Sequence, residues 1–247
     1  MKLLHAPIIE AVLEIDCDMS PKFELVAMED RARRLFADNY PKFRKQYVEE
    51  YRIKAKADQP PDYSTKRAIQ SLQFFQEDER QIVQLRGQGF SFNRLNPYSS
   101  LDDYLPEIER TWKLFGEIVS PLQIRAVRLR YINRILLPMV PGGIQLNEFF
   151  KIYPVLPDGT LILGAFLNQY LAVEKDTGNH VNVVLTGQPP ENDRAPIIFD
   201  NTAMWSGVAE VENWAWLSAR IMLLRALKNR IFENTLTEKC LNLFQQQ

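Results

Sequence analysis

Residues 123 to 137 read QIRAVRLRYINRILL, and four arginines, Arg125, Arg128, Arg130 and Arg134, fall within ten of those positions. The branched and aromatic residues between them predict a strand, whose side chains alternate between two faces. Val127, Leu129, Tyr131, Asn133 and Ile135 project one way; Arg128, Arg130, Ile132 and Arg134 project the other. Guanidiniums stacked along one face repel each other unless carboxylates or an outside anion answer them. Glu10, Glu14 and Asp16 share one face of a second predicted strand, IIEAVLEIDCD at residues 8 to 18, and can supply an internal ion-pair lattice. The competing reading is an acidic partner surface or nucleic-acid phosphate. Asn133 stands on the apolar side, where a buried amide needs hydrogen-bond partners. It takes them from backbone at a bulge or sheet edge, or it is a polar group in a pocket.

Other chemistries find little support. No G-x-S-x-G elbow is present. Cys17 and Cys240 have no motif-like histidine context and read as buried, reduced thiols. His5 and His180 read as surface or edge residues. Gly87-Gln88-Gly89 lacks the third glycine, the lysine and the following helix of a phosphate loop. Adjacent acids such as Glu49-Glu50 and Asp102-Asp103 diverge in space. Two Cys and two His fall short of a zinc site. No catalytic residue and no metal ligand is therefore assigned, and no cofactor is expected. Trp205, Trp214 and Trp216 lie close together. Trp214 reads as core, while Trp216 falls on another helix face and is an interface candidate, because aromatics and arginine anchor interfaces.

The elements that position these residues follow from patterning. The 247 residues are 46% hydrophobic and 25% charged, with 30 basic against 31 acidic side chains, as in ordinary soluble domains. A net charge of -1 gives no global pull toward nucleic acid or anionic membrane. After the first strand, Ser20-Pro21 predicts a helix start. Strands are expected over 43 to 56, 67 to 76 and 80 to 86, with a polar loop at Pro60-Pro61 and Phe90 to Phe92 extending the last one after a bulge. Residues 99 to 119 predict an amphipathic helix capped by Ser99 or Ser100. The strand 123 to 137, a short helix at Leu146 to Lys151, strands over 160 to 173, 181 to 187 and 196 to 200, and a helix over 209 to 233 complete the pattern. Thr235 or Thr237 caps a last short helix. The predicted class is α+β, with two pseudo-repeated halves, 1-121 and 122-247. Each half runs strand, helix, three or more antiparallel strands and a long helix, so that helices cover a sheet. In element order alone this resembles the saddle of the TATA-box-binding protein.

Several stretches carry a second resemblance. APIIEAVLEI at Ala6 to Ile15, RLRYINRI at Arg128 to Ile135, IIFDN at Ile197 to Asn201 and LLRALKNRIFENTLTEKCLNLF from Leu223 resemble a sporadically distributed prokaryotic family of roughly 250-residue proteins. That family has no assigned activity, and its patchy distribution suits genes that travel with defence islands. Relatives tend to carry His where Arg225 stands. The resemblance marks Glu10, Arg130, Asn133, Arg134 and Asp200 as the positions to watch; Arg128 and Trp216 join them on the arguments above.

The expected function is a non-enzymatic accessory or adaptor protein that binds another protein, in a prokaryotic antiviral defence system. One alternative is a nucleic-acid-binding saddle built on the arginine strand; another is a hydrolase or nuclease with an unadvertised carboxylate site. A homodimer is compatible with all three. The first 16 residues are too short and interrupted an apolar run for a signal peptide, and Leu161 to Leu167 is far below the roughly 20 residues that cross a bilayer. The expected setting is the cytoplasm, with no membrane partner.

Overall fold

A computed structural model describes residues 3-56, 59-140 and 143-245. The arginine-bearing segment forms strand β6 (Gln123–Pro138), and its burial alternates as its sequence does: Val127, Leu129, Tyr131, Asn133 and Ile135 are buried, while Arg128 and Arg134 are half-buried and Arg130 is exposed. It lies beside the central strand of an antiparallel sheet of nine strands among the described residues. The others are β1 (Ile8–Asp18), β2 (Lys42–Lys56), β3 (Gln59–Phe75), β4 (Gln81–Arg86), β5 (Gly89–Leu95), β7 (Leu167–Val173), β8 (His180–Gly187) and β9 (Arg194–Ala209). Across the sheet the order is β2-β3-β4-β5-β1-β6-β9-β8-β7.

The helices are α1 (Glu29–Phe36), α2 (Leu101–Val119), α3 (Leu146–Phe149), α4 (Trp214–Thr235) and α5 (Glu238–Asn242). The three longest pack on the same sheet face. Phe36 of α1 stacks on Phe74, Trp112 and Phe115 of α2 meet Phe90, and Phe232 of α4 stacks on Phe199. Register puts those sheet residues on one side with Leu13, Ile15 and Leu129. Burying this apolar side is what drives the assembly. Ser100 caps α2 by accepting from Asp102 N, and Thr237 caps α5 by accepting from Cys240 N. Cys17 and Cys240 are buried free thiols.

Several boundaries differ from the sequence reading. Ser20 makes local contacts, its Oγ accepting from Lys22 N at 3.4 Å and its carbonyl from Phe23 N at 2.8 Å, which close a turn and not a helix. The helix begins later, through a 3₁₀ turn at Leu25–Met28 into α1, where Glu29 and Asp30 lead and Arg33 and Arg34 close, in keeping with the helix dipole. Pro60-Pro61 lies within β3, in the part that outruns β4 and pairs only with β2, so the missing N–H groups cost no ladder bond on the free side. Gly87-Gln88 is a hairpin turn, and Phe90 to Phe92 belong to a separate strand that runs back along β4. Gly89 has φ +149°, and a Cβ there would come within 2.0 Å of Ile15 O, so only glycine fits. Residues 160 to 166 are not strand: Asp158 takes hydrogen bonds from Thr160 N and Oγ1, which holds a local turn in place of extended pairing. β9 runs well past residue 200 because it pairs with both β6 and β8.

The β1–β6 register also slips twice, at Ile8/Glu10 and at Asp16/Cys17. A register shift between Ile8 and Glu10 leaves Ile9 as an extra residue opposite β6. Ile8 pairs with Asn133 on the helix-covered side, and Ile9, which simple alternation with Leu13 and Ile15 would place in the core, is exposed. Bulges of this kind re-aim side chains at sheet ends.

Candidate functional site

On the solvent-facing side of the sheet the arginines are answered from within. Arg128 Nη1 lies 2.5 Å from Asp16 Oδ2 and 3.7 Å from Glu14. Arg86 of β4 shares the same acids, at 2.8 Å from Asp16 and 3.7 Å from Glu14. Arg130 makes a two-pronged contact with Asp200 of β9, Nη2 to Oδ2 at 2.5 Å and Nε to Oδ1 at 2.9 Å. Arg134 reaches Glu191 at 2.5 Å, and Arg125 faces Asp18 at 3.5 Å. Glu10 is held differently: Asn93 Nδ2 donates to it at 2.8 Å. Asn93 in turn accepts from Gln84, and Gln73 donates to both Gln84 and Gln46, so an amide ladder continues across β5, β4, β3 and β2. The geometry matches an internal lattice, with Asp200 and Glu191 as acids additional to those of β1.

The helix-covered side of β6 carries a different group. A cleft of about 860 Å³ is bounded by Leu3 to Ile8, by the Tyr98 to Asp103 segment that leads into α2, by Tyr131 and Asn133 of β6, and by one side of α4. Asn133 is 2% exposed and donates to Tyr131 O at 3.2 Å and Phe199 O at 2.9 Å, so it bonds backbone and lines the cleft at once. Tyr98 and Tyr131 join their hydroxyls at 2.6 Å. Burial raises both phenols, Tyr131 up to about 12, which keeps them neutral donors. Arg225 of α4 donates to Asp102 at 2.7 Å and to Ser100 at 3.4 Å. That hydrogen bond lowers the Asp102 carboxyl and raises Arg225, each stabilising the other's charged form.

Lys228 of α4 is the outlier. The residue is 5% exposed, and its Nζ sits 3.5 Å from the centroid of the Tyr131 ring. Asn201 fixes the local helix by donating to Lys228 O at 2.9 Å. Among the described residues the ammonium has no hydrogen-bond acceptor and no ion pair; the electron-rich ring face is its partner. Burial pushes its pKa down to about 7, with Arg225 adding to the fall and Glu233 opposing it.

The predicted site residues thus separate. Glu10, Arg128, Arg130, Arg134 and Asp200 lie on the solvated face, Asn133 lies in the cleft, and Trp216 lies apart from both. Trp216 packs edge-on against Trp205, ring centroids 4.9 Å apart, with Arg220 over both rings. Among the described residues no three His, Cys, Asp or Glu side chains gather as a metal-holding group, and no helix is long and apolar enough to cross a membrane.

Sequence reasoning passed over Tyr98 and Lys228. For Lys228 a signal existed: it occupies a stripe position of α4, with Leu217, Ile221 and Leu224 before it and Phe232 after it, all buried. A lysine in such a stripe is buried or forced to snorkel. Tyr98 lies in a loop and offers no periodicity to read.

At one end of the sheet, β7 pairs only with β8 among the described residues. Leu167, Tyr170, Leu171 and Val173 are exposed at 70%, 43%, 77% and 56%, so both of its faces meet solvent. Comparison with protein-family models, curated proteins and solved structures finds no match to this chain.

Proposed function

We propose that the protein is a non-enzymatic accessory module that acts by binding another protein, and that β7 is the strand that receives it. The observation that carries this reading is β7's free edge combined with its exposed apolar side chains. Natural edge strands are usually short, charged or covered, because open N–H and C=O groups recruit further strands. A free seven-residue edge with exposed apolar side chains suits addition of an extended segment, with main-chain bonds for affinity and alternate side chains for specificity. The nucleic-acid alternative is weakened by the pairing of Arg128, Arg130 and Arg134 to carboxylates, since phosphate would have to displace those acids.

With this reading go a cytoplasmic setting and, from the family resemblance alone, a partner within a defence system. It also includes the pseudo-repeat of halves 1-121 and 122-247. In support, the order outward from β1 is β5, β4, β3, β2 and outward from β6 is β9, β8, β7. The test is copurification from the native host with the wild type and with Leu171→Lys, which keeps the strand backbone but places a charge on the edge. The expected result is a stoichiometric protein partner that the variant loses while its circular dichroism is unchanged. Absence of any stoichiometric partner, together with a detectable turnover, contradicts the reading. Light scattering separates a second copy of the chain, pairing β7 to β7, from a foreign partner.

A further inference from the structure

We propose that the cleft beside α4 binds a small organic monocarboxylate, its carboxylate against Lys228 Nζ and its apolar body against Leu3, Ile8 and Phe232. The site is independent of the β7 reading. Its volume, about 860 Å³, falls in the range of small-molecule pockets. Of its two cations, Arg225 is already engaged by Asp102 and Ser100. Lys228 is not: it is buried, lines the cleft, and among the described residues has an aromatic face and no acceptor. An ammonium on a side chain only 5% exposed, whose Nζ reaches the cleft without a protein counter-charge in contact, is costly to hold charged, and an entering carboxylate lowers that cost by supplying one in a low-dielectric setting.

The lining selects the ligand class. Asp103 borders the same space beside the already engaged carboxylates of Asp102 and Glu233, so a polyanion such as a phosphate ester meets like charge there. Leu3, Leu4, Ala6, Pro7, Ile8 and Phe232 give the remainder an apolar wall. Neutral hydroxyls of Tyr98 and Tyr131 and the Asn133 amide stand beside it as polar contacts that add no charge. The ligand that fits is one negative charge on an apolar body.

Binding must then depend on the Lys228 proton. The titratable groups that share the cleft with this amine are Arg225 and Glu233 on its own helix, Tyr131 on β6, and Tyr98, Asp102 and Asp103 at the entry to α2. The described N-terminal lining, Leu3, Leu4, Ala6, Pro7 and Ile8, adds no titratable side chain. Of these, the tyrosines stay neutral and Asp102 and Arg225 hold each other's charge, so between pH 6 and 8.5 the amine's protonation governs carboxylate affinity.

The test is titration calorimetry of the full chain with octanoate and with its uncharged isostere octanamide. Expected are one octanoate per chain and an affinity that falls on the order of tenfold or more from pH 6 to pH 8.5. Octanamide should bind at least about tenfold more weakly, inorganic phosphate should not compete, and Lys228→Met should lose octanoate binding by a similar factor. Should that variant not fold, the wild-type Lys228 ¹³Cε resonance provides the second readout, moving on octanoate addition and not on octanamide addition. The proposal is overturned by any of three results: no saturable octanoate binding up to about 5 mM, equal affinity for octanamide, or unchanged binding in Lys228→Met. Displacement by phosphate would assign the cleft to phosphate-bearing ligands instead.

Discussion

The two faces of β6 handle positive charge in opposite ways. On the solvated face, Arg128, Arg130 and Arg134 each have a carboxylate 2.5 Å away and keep access to water. On the covered face, Lys228 of α4 lies over Tyr131 and has no carboxylate in contact among the described residues. The difference teaches that counting cations does not locate a site. Three arginines that find their own acids are scaffold, and partly solvated pairs of this sort contribute modestly to stability. One lysine without a counter-charge is a cost that the fold carries, and such costs gather where a protein binds something.

Breaking the covered face should produce the largest effects. Lys228 has a folded pKa near 7, below the ordinary lysine value of 10.5. Between those values the unfolded chain holds a proton that the folded chain lacks, so stability should rise with pH from about 7 upward, and below 7 the cost of the buried charge is fully present. In urea melts the wild type should gain about 3 kcal/mol from pH 7 to pH 9.5 relative to Lys228→Met, and Lys228→Met should be the more stable protein at pH 6.5. Asn133→Ala should cost about 2 kcal/mol in the same melts, because it strips buried backbone acceptors at Tyr131 and Phe199 of their amide donor.

The solvated face should respond less. Asp16→Asn removes the charge shared by Arg86 and Arg128 and should cost about 1 kcal/mol, with a smaller loss in high salt. Arg130→Ala, at a side chain 47% exposed, should change stability by less than about 1 kcal/mol. If Arg130→Ala proved more damaging than Asn133→Ala, the contrast between the faces would be wrong.

Much of this contrast was readable before any coordinates. From Ala126 onward the alternation in QIRAVRLRYINRILL assigned each residue of β6 to its face, because a strand's side chains have period two and no helix pattern competes there; a bulge at Arg125 breaks it before that. Glu14 and Asp16 were identifiable as answering acids from the same rule. Glu191 lies in a turn and Asp200 on β9, and no local pattern says which strand becomes the neighbour of β6. The Ile8–Glu10 bulge was invisible for a similar reason: it is a property of the β1–β6 register and not of either strand. The cleft itself depends on where α4 crosses the sheet. The stripe position of Lys228 signalled burial, but its Tyr131 partner and the absence of an acid exist only in the tertiary arrangement.

Whether Lys228 is a buried amine without a counter-charge can be read from its own titration. With ¹³Cε-labelled lysine, the Lys228 resonance, assigned by its loss in Lys228→Met, should titrate with a midpoint near 7, well below the surface lysines. A midpoint at or above 10 would mean that the amine is hydrated or paired, and would contradict the account.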